Sequence, residues 1–221
     1  KYYRVLRDVV FKVDGKTHKI DYMALSKYGI FVMKVHNFGG VVTGKEDDDF
    51  WIEQNKFFKK KRVNPIKANK EEIKALEAAY AAEGIPVVSN ASANRWTEDV
   101  PMLVPEINYS HLDVIAEQKK HHGWDKGFIA VKPNCSLQTY MMPLHALIMA
   151  GYPVKRMIVT TLQATSGAGY PGVPSFDMID NIVPFIGGEE EKTEKECLKI
   201  LGTVKDGKIQ NADLPKVSST C

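Results

Sequence analysis

Residues 128–150 read FIAVKPNCSLQTYMMPLHALIMA. Phe128 to Val131 is a short apolar run that predicts an extended strand. Pro133-Asn134 breaks it, and from about Leu137 to Ala150 an apolar stretch of helical length follows, which Pro143 should bend unless the helix starts later. This order places Cys135 at a strand-to-helix junction. Unpaired N–H groups and the dipole at a helix N-terminus stabilise a thiolate. A lone cysteine is nevertheless more often an inert buried thiol.

The same alternation extends outward. Met157 to Leu162 is rich in β-branched residues and predicts a strand, and Thr193 with Glu196 has the spacing of a capping box for a helix ending near Gly202. Upstream, Ser110 is placed to cap a helix running to Gly123, with Asp113 at its third position. Ile85 to Val88 predicts a strand. Asn69, with Glu72 three residues on, predicts the start of a helix KEEIKALEAAYAAE carrying Ile73, Leu76, Ala79 and Tyr80 on one face; Gly84 ends it and Pro86 lies just beyond.

The first third is β-rich. Ile20–Leu25 and Ile30–Val35 predict a hairpin around Ser26-Lys27-Tyr28-Gly29, and Val41-Val42-Thr43 follows a Gly39-Gly40 break. Residues 45–62 read as a charged loop. The fold class is therefore mixed α and β of the α+β kind, a β-rich first segment followed by an α+β segment with a mixed sheet. No internal repeat is visible. The seam is expected inside or just after the helix at 70–83, giving segments 1–83 and 84–221.

Composition narrows the class without choosing a function. The 221 residues are 44% hydrophobic and 26% charged, which excludes a disordered or low-complexity chain. A net charge of +3 is too slight to imply a nucleic-acid or membrane partner. Three cysteines, Cys135, Cys197 and Cys221, with no Cys-x-x-Cys pair, argue against a disulfide framework or a zinc site. A cytoplasmic setting is expected. The opening KYYRVLRDVV lacks a signal-peptide core, and the apolar stretch 140–154 is broken by Pro143, His145 and Pro153.

Two charge runs have plain readings. KFFKKKR (56–62) could contact phosphates, but one short run reads more simply as a solvated loop with Phe57 and Phe58 tucked into the core. Glu46-Asp47-Asp48-Asp49 lacks EF-hand spacing and reads as a solvated turn. His121-His122 are adjacent and cannot share a helix face, so they read as surface residues rather than a ligand pair.

Two resemblances add to this. IDYMALSKYGIFVMKVHNFGG (20–40), followed by Trp51 and by Asn64-Pro65-Ile66, resembles the nuclease-related domain (NERD) family over residues 2–76. That resemblance implies a restriction-type site in which two carboxylates hold a divalent metal and a Lys assists the attack. Asp21 matches the first carboxylate. Lys34 stands where the family has Glu and His36 where it has Lys. An ammonium at a metal-ligand position repels the ion, so no metal is expected, nucleic acid is an unlikely partner, and Asp21 reads as a strand-end carboxylate.

Residues 84–221 resemble aspartate-semialdehyde dehydrogenase of the archaeal and fungal kind. GIPVVSNASANR (84–95), PNCS (133–136), LQATSGAGYPGVPSFD (162–177) and IVPFIGGEEEK (182–192) carry the likeness. The resemblance implies an NADP-dependent enzyme of amino-acid biosynthesis that passes through a Cys thioester. Cys135 would be the nucleophile and Gln163 would orient the intermediate. Asn134 would lie among the substrate- and phosphate-binding residues, with Arg95 and Lys192 binding phosphate and Glu189 pairing with the substrate amino group. Ser166, Gly167 and Gly169 would lie near the nicotinamide. Read alone, GGEEEK is a solvated helix start and the 166–169 stretch a turn. Cys197 and Cys221 read as inert.

Two parts of the enzyme pattern are not found. Residues 1–83 contain no strand–Gly-rich turn–helix for a dinucleotide, and the family's further substrate-binding Arg and its acid/base His have no match in the chain. Three readings follow: a thiol-bearing dehydrogenase segment with a small-molecule substrate and phosphate as partners, forming a homodimer or homotetramer; a nuclease-related nucleic-acid-binding module, catalytically inactive; or a non-enzymatic hybrid or designed scaffold.

Overall fold

The computed structural model describes residues 3–13, 15–45, 48–168, 172, 173 and 175–221. The fold is mixed α and β with a β-rich first segment. Along the chain run the strands β1 (Tyr3–Val13), β2 (Lys16–Ser26), β3 (Gly29–Met33), β4 (Val41–Thr43), β5 (Phe50–Gln54) and β6 (Lys59–Val63), then helix α1 (Pro65–Ala82) and β7 (Pro86–Ser89). Helices α2 (Pro105–Asn108) and α3 (Val114–His122) follow, separated by a 3₁₀ turn at 109–113, then β8 (Phe128–Val131), α4 (Leu137–Met149), β9 (Arg156–Thr160) and α5 (Ser175–Met178). The chain closes with α6 (Glu189–Ile200), β10 (Thr203–Lys205), β11 (Lys208–Gln210) and β12 (Lys216–Thr220).

These elements form two compact units. The first comprises residues 1–100 and 115–131, the second 101–114 and 132–221. Compactness therefore cuts the chain differently from the boundary expected at 83/84.

In the first unit β1, β2 and β3 form an antiparallel meander, with Ser26↔Gly29 closing the expected hairpin. A second antiparallel sheet, β4-β5-β6, replaces the charged loop expected at 45–62. The reason is pairing across its faces. Glu53 on β5 is fully buried and accepts from Arg62 on β6 at 2.5 Å and from the Gly39 N–H at 2.6 Å. Phe57 is not tucked into a core; it is 92% exposed, while Phe58 lies beneath the Lys60 ammonium. Glu46 and Asp47 lie outside the described residues.

Helix α1 starts at Pro65 rather than at Asn69, because Asn64-Pro65 is the stronger signal. Proline suits the first helical position, and the Asn64 side chain accepts from the N–H groups of Ile66 (2.9 Å) and Lys67 (3.4 Å). Its end agrees with the sequence: Gly84 takes a left-handed φ of 80°. One face of α1 buries Leu76 against Ile20 and Met23 of β2, and the helix also packs on the parallel pair β7–β8. Buried Glu77 accepts from Ser89 and from Asn94 (2.6 Å); burial pushes its pKa up, partly opposed by those two bonds. Helix α1 thus contacts both the β1-β2-β3 sheet and the β7–β8 pair within this unit.

Helix α3 starts at Val114, not at Ser110, which lies in the 3₁₀ turn. Its fully buried Gln118 donates to the carbonyls of Asp99 (2.8 Å) and Ile129 (3.0 Å) and accepts from the Ile129 N–H (2.7 Å), satisfying the free edge of β8. His121 and His122 are exposed as expected, yet both rings lie 3.4 Å from the same Asp99 oxygen.

In the second unit α4 carries Leu137, Met141 and Leu144 into the core and continues through Pro143. β12 pairs parallel to β9, and an Asp206-Gly207 turn joins β10 to β11. His111 is buried, hydrogen-bonded to Asn108 (3.1 Å) and to the Gly202 carbonyl (2.9 Å). Helix α6 starts at Gly188 rather than at Thr193; three glutamates in its first turn favour that start through the helix dipole.

Gly127, just before β8, lies tight against the end of α1: a Cβ there would lie 1.9 Å from the Ala81 carbonyl oxygen. Gly127→Ala is expected to destabilise this unit by about 1–3 kcal/mol, because backbone must move. Urea denaturation of the two proteins measures it.

Candidate functional site

Helix α4 is fixed by its buried stripe, so the chain leading into it, Lys132-Pro133-Asn134-Cys135-Ser136, has a defined place. Cys135 is exposed. Ser136 occupies the cap position without a capping side-chain bond, and Thr139 binds back to the Ser136 carbonyl with its N–H (3.2 Å) and hydroxyl (2.7 Å). The thiol thus lies two residues before a helix whose first turn has no side-chain cap.

Asn134 is the buried neighbour that organises this turn. Its Oδ1 accepts the Cys135 N–H at 2.7 Å and lies 3.4 Å from Sγ. Its Nδ2 donates to Ser136 Oγ (3.2 Å) and to Glu189 Oε1. Glu189, the first residue of α6, also accepts from Gln163 Nε2 at 2.9 Å, and Lys192 Nζ lies 3.9 Å from its other oxygen. Gln163 lies three residues after β9 and reaches Thr161 Oγ1 as well (3.3 Å).

Burial pushes the Glu189 pKa up, but the donors Gln163 and Asn134, the Lys192 charge and Ser136 together outweigh it and hold the carboxyl below its ordinary value. The site therefore keeps an anion under the turn, a cation one helical turn along, and an exposed sulfur above both.

Five of the expected residues, Asn134, Cys135, Gln163, Glu189 and Lys192, are brought together. Ser166 and Gly167 stand exposed on a 3₁₀ turn at 165–168, and Gly169 lies outside the described residues. Arg95 belongs to the first unit, buried, with Nη2 donating to the Asn90 carbonyl at 3.3 Å. The sequence reading passed over Ser136, Thr193 and Glu196. All three are buried here, and Glu196 accepts the Asn134 N–H at 2.7 Å. For Thr193 and Glu196 the signal was present as an i, i+4, i+7 stripe with Glu189, the pair being read instead as a capping box.

The other thiols differ from Cys135. Cys197 is buried, and that burial pushes its pKa up to about 12. Cys221 is half-buried, with Sγ 3.9 Å from the Ile186 carbonyl. Tyr140, whose hydroxyl donates to the Thr193 carbonyl (3.2 Å), has its pKa raised by burial and by the nearby Cys197, Glu196 and Glu189.

In the first unit, Asp21 accepts the Val35 N–H at 3.0 Å, a strand-end bond, and Lys34 forms an ion pair with Glu72 on α1. The His36 ring stacks on Phe38. A cavity of about 420 Å³ beside them is lined by Lys34, His36, Asn69, Lys70, Ile73 and Ser92, among others. Among the described residues no group of three His, Cys, Asp or Glu side chains could hold a metal ion. No helix there is long and apolar enough to cross a membrane.

Comparison with known proteins finds both resemblances. Residues 1–104 match the nuclease-related domain and residues 144–221 the semialdehyde dehydrogenase dimerisation domain. The chain is 49% identical over 146 residues to aspartate-semialdehyde dehydrogenase of Archaeoglobus fulgidus, covering 66% of this chain and 41% of that protein. It is 47% identical over 150 residues to the enzyme of Cryptococcus neoformans, with the same coverage. The crystal structure of the Candida albicans enzyme with NADP superposes with a TM-score of 0.60 at 37% identity, over 69% of this chain and 44% of that one. The chain spans about two fifths of the length of the curated relatives it matches.

The low Glu189 pKa has a sign. A depressed folded-state pKa contributes stability above the unfolded value of 4.5, and that contribution is lost as pH falls through the lower folded value. Glu189→Gln is expected to melt below wild type at pH 7 and to converge with it below pH 4.5. Thermal melts between pH 3 and pH 7 test this.

Proposed function

We propose that residues 84–221 are a dehydrogenase-like segment whose chemistry is acyl transfer at Cys135, as in aspartate-semialdehyde dehydrogenase. One observation carries the reading: an exposed thiol before an uncapped helix start, tied through Asn134 to Glu189, Gln163 and Lys192.

In this reading the Cys135 thiolate attacks the acyl carbon of an acyl phosphate such as aspartyl phosphate. The C–S bond forms, the C–O bond to phosphate breaks, and phosphate leaves with the electron pair. Lys192 offers a point charge to phosphate. Gln163 orients the intermediate and Glu189 meets the amino group of the substrate. Arg95 is the second phosphate-binding candidate, and Ser166, Gly167 and Gly169 remain candidates for contact with a nicotinamide.

The dinucleotide does not fit residues 1–83 as they fold. They form two antiparallel sheets and α1, and the first N–H groups of α1, which a pyrophosphate would need, are taken by Asn64. No hydride step is assigned to this chain. The amino-acid-biosynthesis role and a reducing, cytoplasmic setting go with the thiol reading. So does self-association: Ile158, Leu162, Phe176, Ile182 and Phe185 of the second unit are each at least 62% exposed, more apolar surface than a monomer usually shows.

The nuclease-related segment supports no cleavage, since Lys34 with Glu72 puts an ammonium where a metal would sit.

Two measurements test the proposal. Incubation with aspartyl phosphate is expected to give a hydroxylamine-labile acyl adduct on Cys135, seen by mass spectrometry and lost in Cys135→Ser, and inorganic phosphate should slow iodoacetamide alkylation of Cys135. An adduct divided equally between Cys135 and Cys221, or no adduct and no protection, overturns it. For self-association, Ile158→Glu is expected to shift the sedimentation coefficient from oligomer toward monomer; an unchanged coefficient counts against β9 as the interface.

A further inference from the structure

Fully buried carboxylates need a reason, because the charge is expensive away from water unless donors meet it. Glu196 of α6 is 0% exposed, and one of its oxygens accepts the Asn134 backbone N–H at 2.7 Å. Seven residues earlier on the same stripe, about 10 Å along the helix axis, Glu189 accepts the Asn134 side-chain amide. One helix thus grips one residue twice, by its side chain from the first turn and by its backbone two turns later. The residue so gripped is the one whose Oδ1 receives the Cys135 N–H and lies against Sγ.

We infer that Glu196 is a positioning residue for Cys135: through the Asn134 backbone it fixes the turn that presents the sulfur at the start of α4. This rests on the reading of Cys135 as the reacting thiol. The bond that links Glu196 to this turn is made to the Asn134 N–H, so its effect on the sulfur passes through Asn134. The second grip matters because Glu189 alone holds only the side-chain end of Asn134, about which the peptide can pivot. The N–H bond to Glu196 removes that freedom and keeps Cys135 at the uncapped N-terminal turn, where thiolate is stabilised as the S–C bond forms.

Three variants and a control test the role. Glu196→Gln keeps a carbonyl oxygen for the Asn134 N–H, Glu196→Ala removes it, and Glu196→Asp keeps the charge but withdraws it by a methylene. Ile200→Ala, on the same helix, 1% exposed and four residues further along, perturbs the core and leaves the Glu196 carboxylate in place. Loss of the bond is expected to slow iodoacetamide alkylation of Cys135 by about fivefold in the Ala and Asp variants. The same variants should speed amide exchange of the peptide spanning residues 132–137. Gln should restore both to within about twofold of wild type, and Ile200→Ala should leave both unchanged whatever its loss in melting temperature. Equal slowing in Ile200→Ala, or no difference between Gln and Ala, overturns the inference. If Glu196→Ala fails to fold, the Asp–Gln contrast decides alone. Because the readouts are alkylation and exchange, they report on the turn even if aspartyl phosphate leaves no adduct on Cys135, so the failure of one proposal is distinguishable from the failure of the other.

Discussion

The second unit is arranged around buried negative charge. A carboxylate removed from water costs several kcal/mol unless donors replace its hydration, and Glu189 obtains them from Asn134, Gln163 and Lys192. Those donors come from three places in the chain: the turn before α4, the stretch after β9, and α6 itself. Meeting one acceptor therefore brings three distant segments together. The donors and the Lys192 charge outweigh burial and hold the Glu189 carboxyl below its ordinary pKa. The anion in turn holds Asn134 and Gln163 in single orientations, which is what preorganisation of a site requires.

The first unit depends on one helix serving two sheets. α1 buries Leu76 against β2 and also packs on β7 and β8, where Glu77 meets Ser89 and Asn94. Glu77 shows what this joint demands. Its carboxylate is buried between α1 and the Ser89–Asn94 segment, and burial raises its pKa even though Ser89 and Asn94 both donate to it. Gly127 shows the same constraint sterically, since the backbones of α1 and β8 meet where no side chain fits.

Sequence legibility followed how local the cause was. The 26–29 hairpin, β8, α4 and the helix end at Gly84 were readable, because a turn, an apolar run or a glycine decides each within a few residues. β5 and β6 were read as a loop because charged residues dominate KEDDDFWIEQNKFFKKKR (45–62). What makes them strands is Glu53 taking Arg62 and the Gly39 N–H, a contact between positions 9 and 14 residues apart. Asn69 and Thr193 were read as caps, where the structure uses Asn64 and Gly188, for a similar reason. Each has the right spacing to an acidic residue, but Glu72 turns to Lys34 and Glu196 to Asn134, partners 38 and 62 residues away. In the site, Cys135, Asn134, Gln163, Glu189 and Lys192 were named through resemblance and do converge. Glu196 was hidden because its work is done on a backbone N–H, which no side-chain motif records.

The chemistries suggested by the two resemblances do not stand equally. A metal site needs open carboxylates, and Asp21 already accepts the Val35 N–H while Glu72 is taken by Lys34. A pyrophosphate needs open N–H groups at a helix start, and Asn64 has covered those of α1. In both places an internal partner is tethered within reach, so an external ligand must compete with a neighbour of high effective concentration. Cys135 has the opposite arrangement. Its backbone is fixed by Asn134, yet its sulfur is exposed and the helix beyond it carries no side-chain cap. Of the reactive groups discussed, the thiol is the one whose surroundings hold it in place while leaving its reacting atom open. That contrast is what the proposal of acyl transfer at Cys135 rests on.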